Sequence, residues 1–421
     1  MFKYIKSVFS EKSIRDRILF VLFILAITRV LSIIPIPSIS GEDIAKVISS
    51  NQFLGLINIF SGGGLATMSI VMIGVQPYIT ASIITQLLTV LSPKLKAMQQ
   101  EEGEAGRKRF SAYTRWMTPP LAVMQAVGFL TLFQKQGIID HLTNSQMVVN
   151  VIIITAGSML MMWLGEVINE KGIGNGISLL IFSGIVATLP STLFSVFKTL
   201  DMSQAPLYAA LAITFVLVLF GIVAVTEAER PIEVTYAKQS RGYASEGGTT
   251  TTYLPLRLTQ AGVVPVIFAV SLLSFPQLLA QLLATSNSSF GLLVASKISE
   301  VLGNPWIYGG VYFSLIVMFT FFYTVVTFDP IKTSENLQKS GAFIPGHRPG
   351  DATTKYMSEV LTNVTTVGAI FLGVVALLPI ILAGLTGVSS INVGGTSLLI
   401  AVSVVIDLLK KIDAQMTMRE Y

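Results

Sequence analysis

Ten long apolar runs, separated by polar segments, constrain what this 421-residue chain can fold into more than any other feature. A transmembrane helix needs roughly 20 mostly apolar residues, because a helix rises about 1.5 Å per residue. Only 12% of the residues are charged, against about 25% in a usual soluble domain. The sequence therefore predicts an all-α polytopic membrane protein whose ten transmembrane helices cover residues 18–36, 70–91, 114–133, 148–168, 177–197, 207–227, 262–283, 307–328, 361–383 and 396–412.

The distribution of positive charge predicts the orientation of these spans. Five basic residues precede the first apolar run, which ends in Ile34-Pro-Ile-Pro37 without a small-residue cleavage site, so we interpret it as an uncleaved span rather than a signal peptide. Ten spans place both termini on one side of the membrane. That side carries 23 of the 28 Lys and Arg residues, which predicts cytosolic termini by the positive-inside rule.

The segment from Asn58 to Leu91 combines a run of three glycines, Gly62 to Gly64, with an apolar run that contains Pro77. Each glycine costs a helix about 0.5–1 kcal/mol relative to alanine, so packing alone does not favour this run. One interpretation is a loosely held segment joined to a membrane helix with a polar stripe. An external loop leading into an ordinary span explains the same residues equally well.

An internal repeat divides the chain into two halves, residues 1–200 and 201–421. The second span reads Gly74-Val-Gln-Pro-Tyr-Ile-Thr-Ala81 and the seventh reads Gly262-Val-Val-Pro-Val-Ile-Phe-Ala269, so both contain G-V-x-P-x-I-x-A. Five spans in each half give the halves opposite orientations, which is typical of inverted repeats with a site at their interface. We expect Pro77 and Pro265 to kink their helices and to form a seam that can part.

Two long inner loops, residues 228–258 and 329–360, are basic and rich in turn residues. Long loops on one face of a compact protein usually carry function, so we expect them to dock a partner, although a solvated linker is the alternative. A third segment, Glu170–Ser178, has glycines at 172, 174 and 176. It favours a tight turn over a phosphate-binding loop, because neither a Lys-Ser/Thr pair nor a preceding strand accompanies it.

The sequence contains no recognisable catalytic motif, and no cofactor or metal is predicted. Cysteine is absent and the two histidines are far apart, which argues against thiolate and histidine metal sites. Arg29 and Asp407 fall within apolar runs, where a charge indicates function by default, but both lie near span ends where snorkelling explains them as well. A secondary transporter and an intramembrane enzyme are the rival functions; the lack of a buried acidic or reactive pair disfavours both.

The chain resembles the SecY family, which forms the channel of the bacterial Sec protein translocase. The motifs that carry the resemblance are colinear and cover nearly the whole chain. They are Pro35-Ile-Pro37, Phe60-Ser-Gly-Gly63, Pro77-Tyr-Ile-Thr-Ala-Ser82, Gln86-Leu-Leu-Thr-Val90, Trp163-Leu-Gly-Glu166, Gly172-Ile-Gly-Asn-Gly-Ile-Ser178, Tyr236-Ala-Lys238, Leu254-Pro-Leu256, Ala261-Gly262 with Pro265, Phe322-Tyr-Thr324, Lys339-Ser-Gly-Ala-Phe-Ile-Pro-Gly346, Arg348-Pro-Gly350 and Gly394-Gly-Thr-Ser-Leu-Leu399.

The resemblance implies two five-helix halves, hinged like a clamshell, around a central pore with a plug. The plug would lie at about residues 58–68, including Phe60, Ser61, Gly62, Gly63, Gly64 and Leu65. The pore ring would consist of Val75, Ile79, Leu180, Ile267 and Ile400, which are all branched aliphatic residues in this chain. The lateral gate would lie between spans two and seven, at Pro77, Gln86 and Pro265, with spans three and eight beside them.

The implied function is a protein-conducting channel, not an enzyme, in the bacterial cytoplasmic membrane. It would pass unfolded, signal-sequence-bearing polypeptides and release apolar segments into membrane lipid. The implied partners are the small subunits SecE and SecG, the SecA ATPase and the ribosome, whose RNA is the only nucleic acid expected to contact it. Arg230, Lys238, Arg241 and Arg348 match basic positions in the partner-binding loops, whereas Pro231, Glu233 and His347 depart from the family pattern.

Overall fold

The computed structural model describes residues 10–37, 54–55, 57–58, 61–198, 205–236, 250–285, 289–386 and 394–420. These residues form a helical bundle with one small sheet. The helices are α1 (Lys12–Leu31), α2 (Gln76–Leu91), α3 (Pro93–Gln100), α4 (Gly103–Lys135), α5 (Asn144–Lys171), α6 (Gly176–Lys198), α7 (Ala205–Glu227), α8 (Val264–Thr285), α9 (Ser289–Gly303), α10 (Pro305–Thr327), α11 (Pro330–Lys339), α12 (Asp351–Thr386) and α13 (Gly394–Glu420).

Each of the ten predicted spans overlaps one of these helices. Among the described residues, four helical stretches are long and apolar enough to cross a membrane: Gly103–Lys135, Asn144–Lys171, Pro305–Lys339 and Asp351–Leu382. Three shorter apolar stretches accompany them, namely Gly176–Pro190, Ala212–Glu227 and Val264–Gln277. Many side chains on these helices are large, apolar and exposed, such as Phe215, Phe220 and Trp306. The chain is therefore a multi-pass membrane protein.

The second predicted span is shorter than expected, because residues 61–75 form a series of turns and α2 begins only at Gln76. Gly74 has a φ of +59°, which is incompatible with a continuing right-handed helix. The expectation that Pro77 and Pro265 kink their helices was wrong. Each is the second residue of its helix, where no intrahelical hydrogen bond is lost, so each proline starts a helix instead of bending one.

The two long inner loops contain an antiparallel sheet that the sequence analysis missed. Strand β1 (Glu229–Tyr236) pairs along its whole length with β2 (Thr250–Arg257), and its other edge pairs with the short β3 (Ala342–Phe343). β1 and β2 belong to the first loop and β3 to the second. Buried apolar residues of all three strands pack on α12 through Met357 and Val360. The sheet therefore joins the two loops into one unit.

Two apolar clusters organise the bundle. The larger draws buried residues from α1, α2, α5, α6, α7, α8, α10, α12 and α13, and so from both halves of the chain. The second packs Leu54, Ile57, Leu65, Met68, Met72 and Ile73 against side chains of α4 and α5, including Phe129 and Phe133. A small third cluster of Ile14, Ile173 and Ile412 brings the start of α1 and the end of α13 together.

Candidate functional site

The five predicted pore-ring residues come together in the larger apolar cluster. Val75 precedes α2 and Ile79 lies in its first turn; the other three are Leu180 on α6, Ile267 on α8 and Ile400 on α13. Each is no more than 5% exposed. Four helices from the two sequence halves thus contribute branched aliphatic side chains to one buried region.

Two of the ring positions are placed by matching backbone structures. Gly74 and Gly262 have φ values of +59° and +58°, a conformation that favours glycine. The Ile79 N–H donates to the Val75 carbonyl at 3.1 Å, and the equivalent Ile267 N–H donates to the Val263 carbonyl at 3.2 Å. The repeated glycine and proline therefore position Ile79 and Ile267 equivalently at the starts of α2 and α8.

A cavity of about 180 Å³ adjoins these two isoleucines. Its lining combines apolar and uncharged polar side chains: Tyr78, Ile79, Ser82, Gln86, Asn169, Asn175, Ile177, Ser178, Ile181, Val264, Ile267, Phe268 and Tyr323. A second cavity of about 210 Å³ shares Asn175, Ser178 and Tyr323 and extends towards Arg257 and Lys410. Among the described residues no group of three His, Cys, Asp or Glu could hold a metal ion. The lining of the first cavity thus includes no charged side chain.

The predicted plug is packed more firmly than a run of glycines suggested. Ser61 and Leu65 are buried, and Leu65 belongs to the second apolar cluster. The Ser61 hydroxyl donates to the Asn58 carbonyl at 3.0 Å and accepts from the Leu65 N–H at 3.1 Å. Phe60 lies outside the described residues.

The glycines of this segment allow close backbone contacts. Gly62 and Gly63 have φ values of +68° and +86°. A Cβ at Gly62 would lie 3.2 Å from the Cα of Gly184 on α6, and one at Gly64 would lie 2.8 Å from the Ser69 hydroxyl. Three glycines therefore let the segment turn sharply against α6 and against its own continuation.

The end of α1 also holds the plug segment, a contact that sequence reasoning missed. The Arg29 guanidinium donates to the Gly62 carbonyl. The Thr67 hydroxyl donates to the Ser32 carbonyl at 2.7 Å, and Pro35 forms an antiparallel bridge with Ser69. The position of Arg29 within an apolar run was the available signal, although the sequence did not indicate its partner.

At the predicted lateral gate, α2 packs directly against α8, and α4 and α10 lie beside them. A buried hydrogen bond crosses this contact, because the Gln76 amide donates to the Ser274 hydroxyl at 3.1 Å. Gln86, the residue predicted from sequence, instead donates to Ser82 of its own helix at 3.1 Å. Gln76 and Ser274 were not singled out by sequence reasoning, although Gln76 lies within the repeated motif.

The predicted partner-contact residues that the structure describes are exposed. Arg230 lies on β1 opposite Leu256, and Arg348 lies in the turn that follows β3. Lys238 and Arg241 lie outside the described residues. Glu229 connects the base of the sheet to α13, because its carboxylate lies 3.2 Å from Arg257 and 3.5 Å from Lys410.

Asp407 and the glycine-rich turn, which the sequence analysis also singled out, have structural roles in this fold. Asp407 forms an ion pair with Lys411 of the same helix at 2.9 Å and is half exposed, as expected for a solvated helix end. The glycine-rich turn before α6 serves helix packing. A Cβ at Gly176 would come 1.9 Å from the Gly165 carbonyl oxygen, so only glycine allows this approach of α6 to α5.

Comparisons with known proteins agree with this arrangement. The sequence profile of the SecY family matches residues 69–409. The protein translocase subunit SecY of Streptomyces coelicolor is 40% identical over 429 aligned residues, covering 98% of this chain and 97% of that protein. The chain thus spans nearly the full length of that relative.

Solved structures show the same fold. A structure described as showing that the plug domain of SecY stabilises the closed translocation channel and maintains a membrane seal matches with a TM-score of 0.65 at 20% identity, covering 94% of this chain and 91% of that one. Sec61 in the canine ribosome–channel complex from the endoplasmic reticulum matches with a TM-score of 0.62 at 18% identity, covering 94% and 91%. By its matched profile and its near-full-length relative, the chain belongs to the SecY family.

Proposed function

We propose that this chain forms a channel that conducts unfolded polypeptides across the bacterial cytoplasmic membrane. The observation that carries the proposal is the convergence of Val75, Ile79, Leu180, Ile267 and Ile400 in one buried apolar region beside a partly polar cavity. Branched aliphatic side chains that close around a pore exclude ions by dewetting. They also offer no strong binding site, so a chain of any sequence can pass.

Residues 58–68 act as the plug of this channel. Of its described residues, Leu65 and Met68 belong to the second apolar cluster, and Gly62 lies between Arg29 of α1 and the backbone of α6. α6 also carries the ring residue Leu180. A plug at this place supports the ring in the resting state and has to leave when a polypeptide enters.

The contact between α2 and α8 is the lateral gate, in which Pro77 and Pro265 start the two helices and Gln86 lines the adjoining cavity. Apolar packing and the buried Gln76–Ser274 hydrogen bond support its closed state. A polypeptide segment at this seam gains about 0.3–0.6 kcal/mol for each Leu, Ile, Phe or Val that moves into lipid. A sufficiently apolar segment therefore leaves sideways, whereas a polar one passes through.

The two halves, residues 1–200 and 201–421, form the two sides of the channel, and both termini are cytosolic. The excess of Lys and Arg in the inner segments supports this orientation, as does the packing of Ile14 near one terminus with Ile412 near the other. The joined loops 228–258 and 329–360 then form a cytosolic unit. Its exposed residues Arg230 and Arg348 are available for a partner, and Lys238 and Arg241 belong to the same loops.

Partners supply the driving force, because this chain is a passive channel and not an enzyme. The Sec61 relative occurs in a ribosome–channel complex, and a ribosome-bound yeast Ssh1 complex shares the fold at a TM-score of 0.62. We assign the cytosolic unit to docking of SecA or the ribosome, and we expect SecE and SecG to complete the channel. Charge-dense partners of this kind suit exposed guanidinium groups.

The experiment that tests the function uses the cysteine-free sequence. A single cysteine at Ile79 is oxidised against a single cysteine in a stalled secretory polypeptide. We expect a disulfide that depends on a functional signal sequence. Ile213→Cys is the matched control, because Ile213 is an exposed isoleucine of α7 and should not react with the stalled chain.

The alternative functions give different results in the same experiment. In a secondary transporter, a small thiol reagent would reach the cysteine at position 79 while the stalled polypeptide would not. In an intramembrane enzyme, the polypeptide would be cut rather than passed. Crosslinking that is equal at positions 79 and 213 would also reject the pore, because it would indicate contact without a defined path.

A further inference from the structure

The Arg29 side chain forms the most direct polar contact between α1 and the plug segment. It lies in the last turn of α1, within an apolar run, and its guanidinium donates to the Gly62 carbonyl. No carboxylate among the described residues forms an ion pair with it. A charge in such a place is unfavourable unless a polar partner compensates, and the plug backbone is the partner that the structure provides.

The Gly62 carbonyl is available for this bond because of its backbone conformation. Gly62 has a φ of +68°, which turns the chain out of the preceding helical path. Within the described residues no backbone N–H donates to its carbonyl oxygen. The close approach to Gly184 fixes the other side of the same residue. Gly62 is thus held between Arg29 on one side and α6 on the other.

The position of Arg29 also has a simpler explanation, because a cation in the last turn of a helix interacts favourably with the helix dipole. That account requires only a positive charge near residue 29. The observed geometry is more specific, because the guanidinium reaches across to a single carbonyl 33 residues away in the chain. Hydrogen bonds with a charged donor are also stronger than neutral ones.

We propose that Arg29 is the latch that keeps the plug segment closed, and that the Arg29–Gly62 hydrogen bond breaks when the channel opens. The inference rests on the proposed function, since it takes residues 61–68 as part of the movable plug. Thr67 and Ser32 add a second, uncharged contact between the same two segments.

The test measures release of the segment directly. Ser61→Cys, a nearly isosteric change at a residue that is 2% exposed, reports exposure through its labelling by a membrane-impermeant maleimide. The full chain is reconstituted with its small subunits and without a translocating polypeptide. Arg29→Met should raise the labelling rate about tenfold or more, as expected for loss of a charge-assisted hydrogen bond. Arg29→Lys should give an intermediate rate, because one ammonium on a shorter stem replaces the guanidinium.

Two controls separate a latch from general loosening. Thr118→Cys on α4 is completely buried, and its labelling should not change when Arg29 is replaced. Arg17→Met removes an exposed arginine from the other end of α1 and should leave both labelling rates at the parent level. An unchanged rate at Ser61→Cys, or equal increases at Ser61→Cys and Thr118→Cys, would overturn the proposal. If the Arg29→Met protein does not accumulate, the Arg29→Lys variant provides the test. A parent-like labelling rate at Ser61→Cys in that variant would reject the latch.

Ion conductance of the same proteoliposomes distinguishes failure of the latch from failure of the channel. Faster labelling with higher conductance supports both the latch and the channel. Faster labelling with parent-like conductance supports the latch but indicates that the segment does not lie in the conducting path. Unchanged labelling rejects the latch while leaving the crosslinking test at Ile79 unaffected.

Discussion

The backbone has the same arrangement at the starts of α2 and α8, but the chain that precedes each helix packs differently in the two halves. Before α2, the Ile70 N–H donates to the Ile34 carbonyl at 3.0 Å and Pro35 bridges to Ser69. Before α8, the Leu258 N–H donates to the Ala228 carbonyl at 3.1 Å and Glu229 pairs with Arg257. In each half a helix and the start of the next apolar helix are thus joined by an antiparallel backbone contact, which is an isolated bridge in the first half and the β1–β2 pairing in the second.

Glycines extend this equivalence to a third helix in each half. A Cβ at Gly157 of α5 would lie 2.0 Å from the Ile70 carbonyl oxygen, and one at Gly368 of α12 would lie 2.2 Å from the Leu258 carbonyl oxygen. Ile70 and Leu258 each precede the repeated glycine by four residues. The repeat is therefore a matter of packing as well as of sequence, which supports assigning residues 1–200 and 201–421 to equivalent halves.

The two halves differ in the chain that connects the paired residues, which are Pro35 and Ser69 in the first half and Glu229 and Arg257 in the second. In the first half its described residues place Leu54, Ile57, Leu65 and Met68 in an apolar cluster. In the second half it extends into the β1–β2 pairing and carries exposed Arg230 outward. The described part of this connection thus places apolar side chains in a buried cluster in the first half and an exposed arginine at the surface in the second.

The first prediction concerns the equivalent ring residues and has the largest expected effect. Ile79→Asp and Ile267→Asp each place a carboxylate in the buried cluster, where an unpaired charge costs several kcal/mol and attracts water. We expect either change to raise resting ion conductance at least about tenfold, since a wetted constriction no longer seals. Conductance is measured in planar bilayers without a translocating polypeptide.

Ile79→Val is the matched control for these variants, because it keeps a branched aliphatic side chain and should conduct as the parent does. A leak from Ile79→Asp but not from Ile267→Asp would break the proposed equivalence at the ring. Parent-like conductance in both aspartate variants would instead show that Ile79 and Ile267 do not seal the pore.

The second prediction concerns the packing glycines. Gly157→Ala and Gly368→Ala each force a methyl group into a backbone carbonyl, which has to move with its whole segment. We expect each to destabilise the protein by about 1–3 kcal/mol, as for other overpacked sites. The measurement is the thermal unfolding midpoint in detergent.

Gly310→Ala on α10 is the control for the glycine pair, since no atom lies within 4 Å of the added methyl group. It should be neutral or stabilise by up to about 1 kcal/mol, the usual helix preference for alanine. If Gly157→Ala and Gly368→Ala matched this control, the close helix approach in each half would be wrong.

The spans and the repeat could be predicted from sequence because both depend on local pattern. Apolar length locates a helix wherever the chain lies in the bundle, and the shared motif marks Gly74 and Gly262 directly. The family match was likewise available from motifs that keep their order. The five aliphatic ring positions are buried, and their role as a pore ring stays a prediction.

Contacts between distant segments could not be predicted in this way. Arg29 was visible as an unusual charge, but its partner is a backbone carbonyl, which every residue possesses and no motif marks. Gln76 bonds Ser274 across 198 residues, so the gate contact depends on how α2 and α8 pack. The error about Pro77 has a local cause, because a proline in the first turn and one in the middle of a helix look alike until the helix start is known.

The third prediction addresses a difference between the two tied positions. The Ser158 hydroxyl of α5 donates to the Gly74 carbonyl at 2.9 Å, whereas the equivalent residue of α12 is Ala369, which has no hydroxyl. Ser158→Ala should therefore destabilise the protein by about 0.5–1.5 kcal/mol, the usual net value of one hydrogen bond. Ser314→Ala, which removes an exposed intrahelical bond to Gly310, should have a smaller effect on the same unfolding midpoint. Equal effects of the two changes would mean that the Ser158–Gly74 hydrogen bond contributes no more to stability than an exposed intrahelical one.

The fourth prediction has the smallest expected effect and concerns Glu229. The equivalent position in the first half is Pro35, which carries no charge. The Glu229 carboxylate joins Arg257 at the base of the sheet to Lys410 on α13, the helix that also carries Ile400. All three side chains are partly solvent-exposed, so Glu229→Gln should destabilise the protein by no more than about 1 kcal/mol, and the difference should disappear in high salt. The informative measurement compares the salt dependence of the unfolding midpoint with that of Glu335→Gln, which removes an exposed ion pair within α11 alone. A larger salt dependence for Glu229→Gln would indicate that the docking unit and the pore-lining helix are coupled by charge, a link that the apolar seal of the first half does not need.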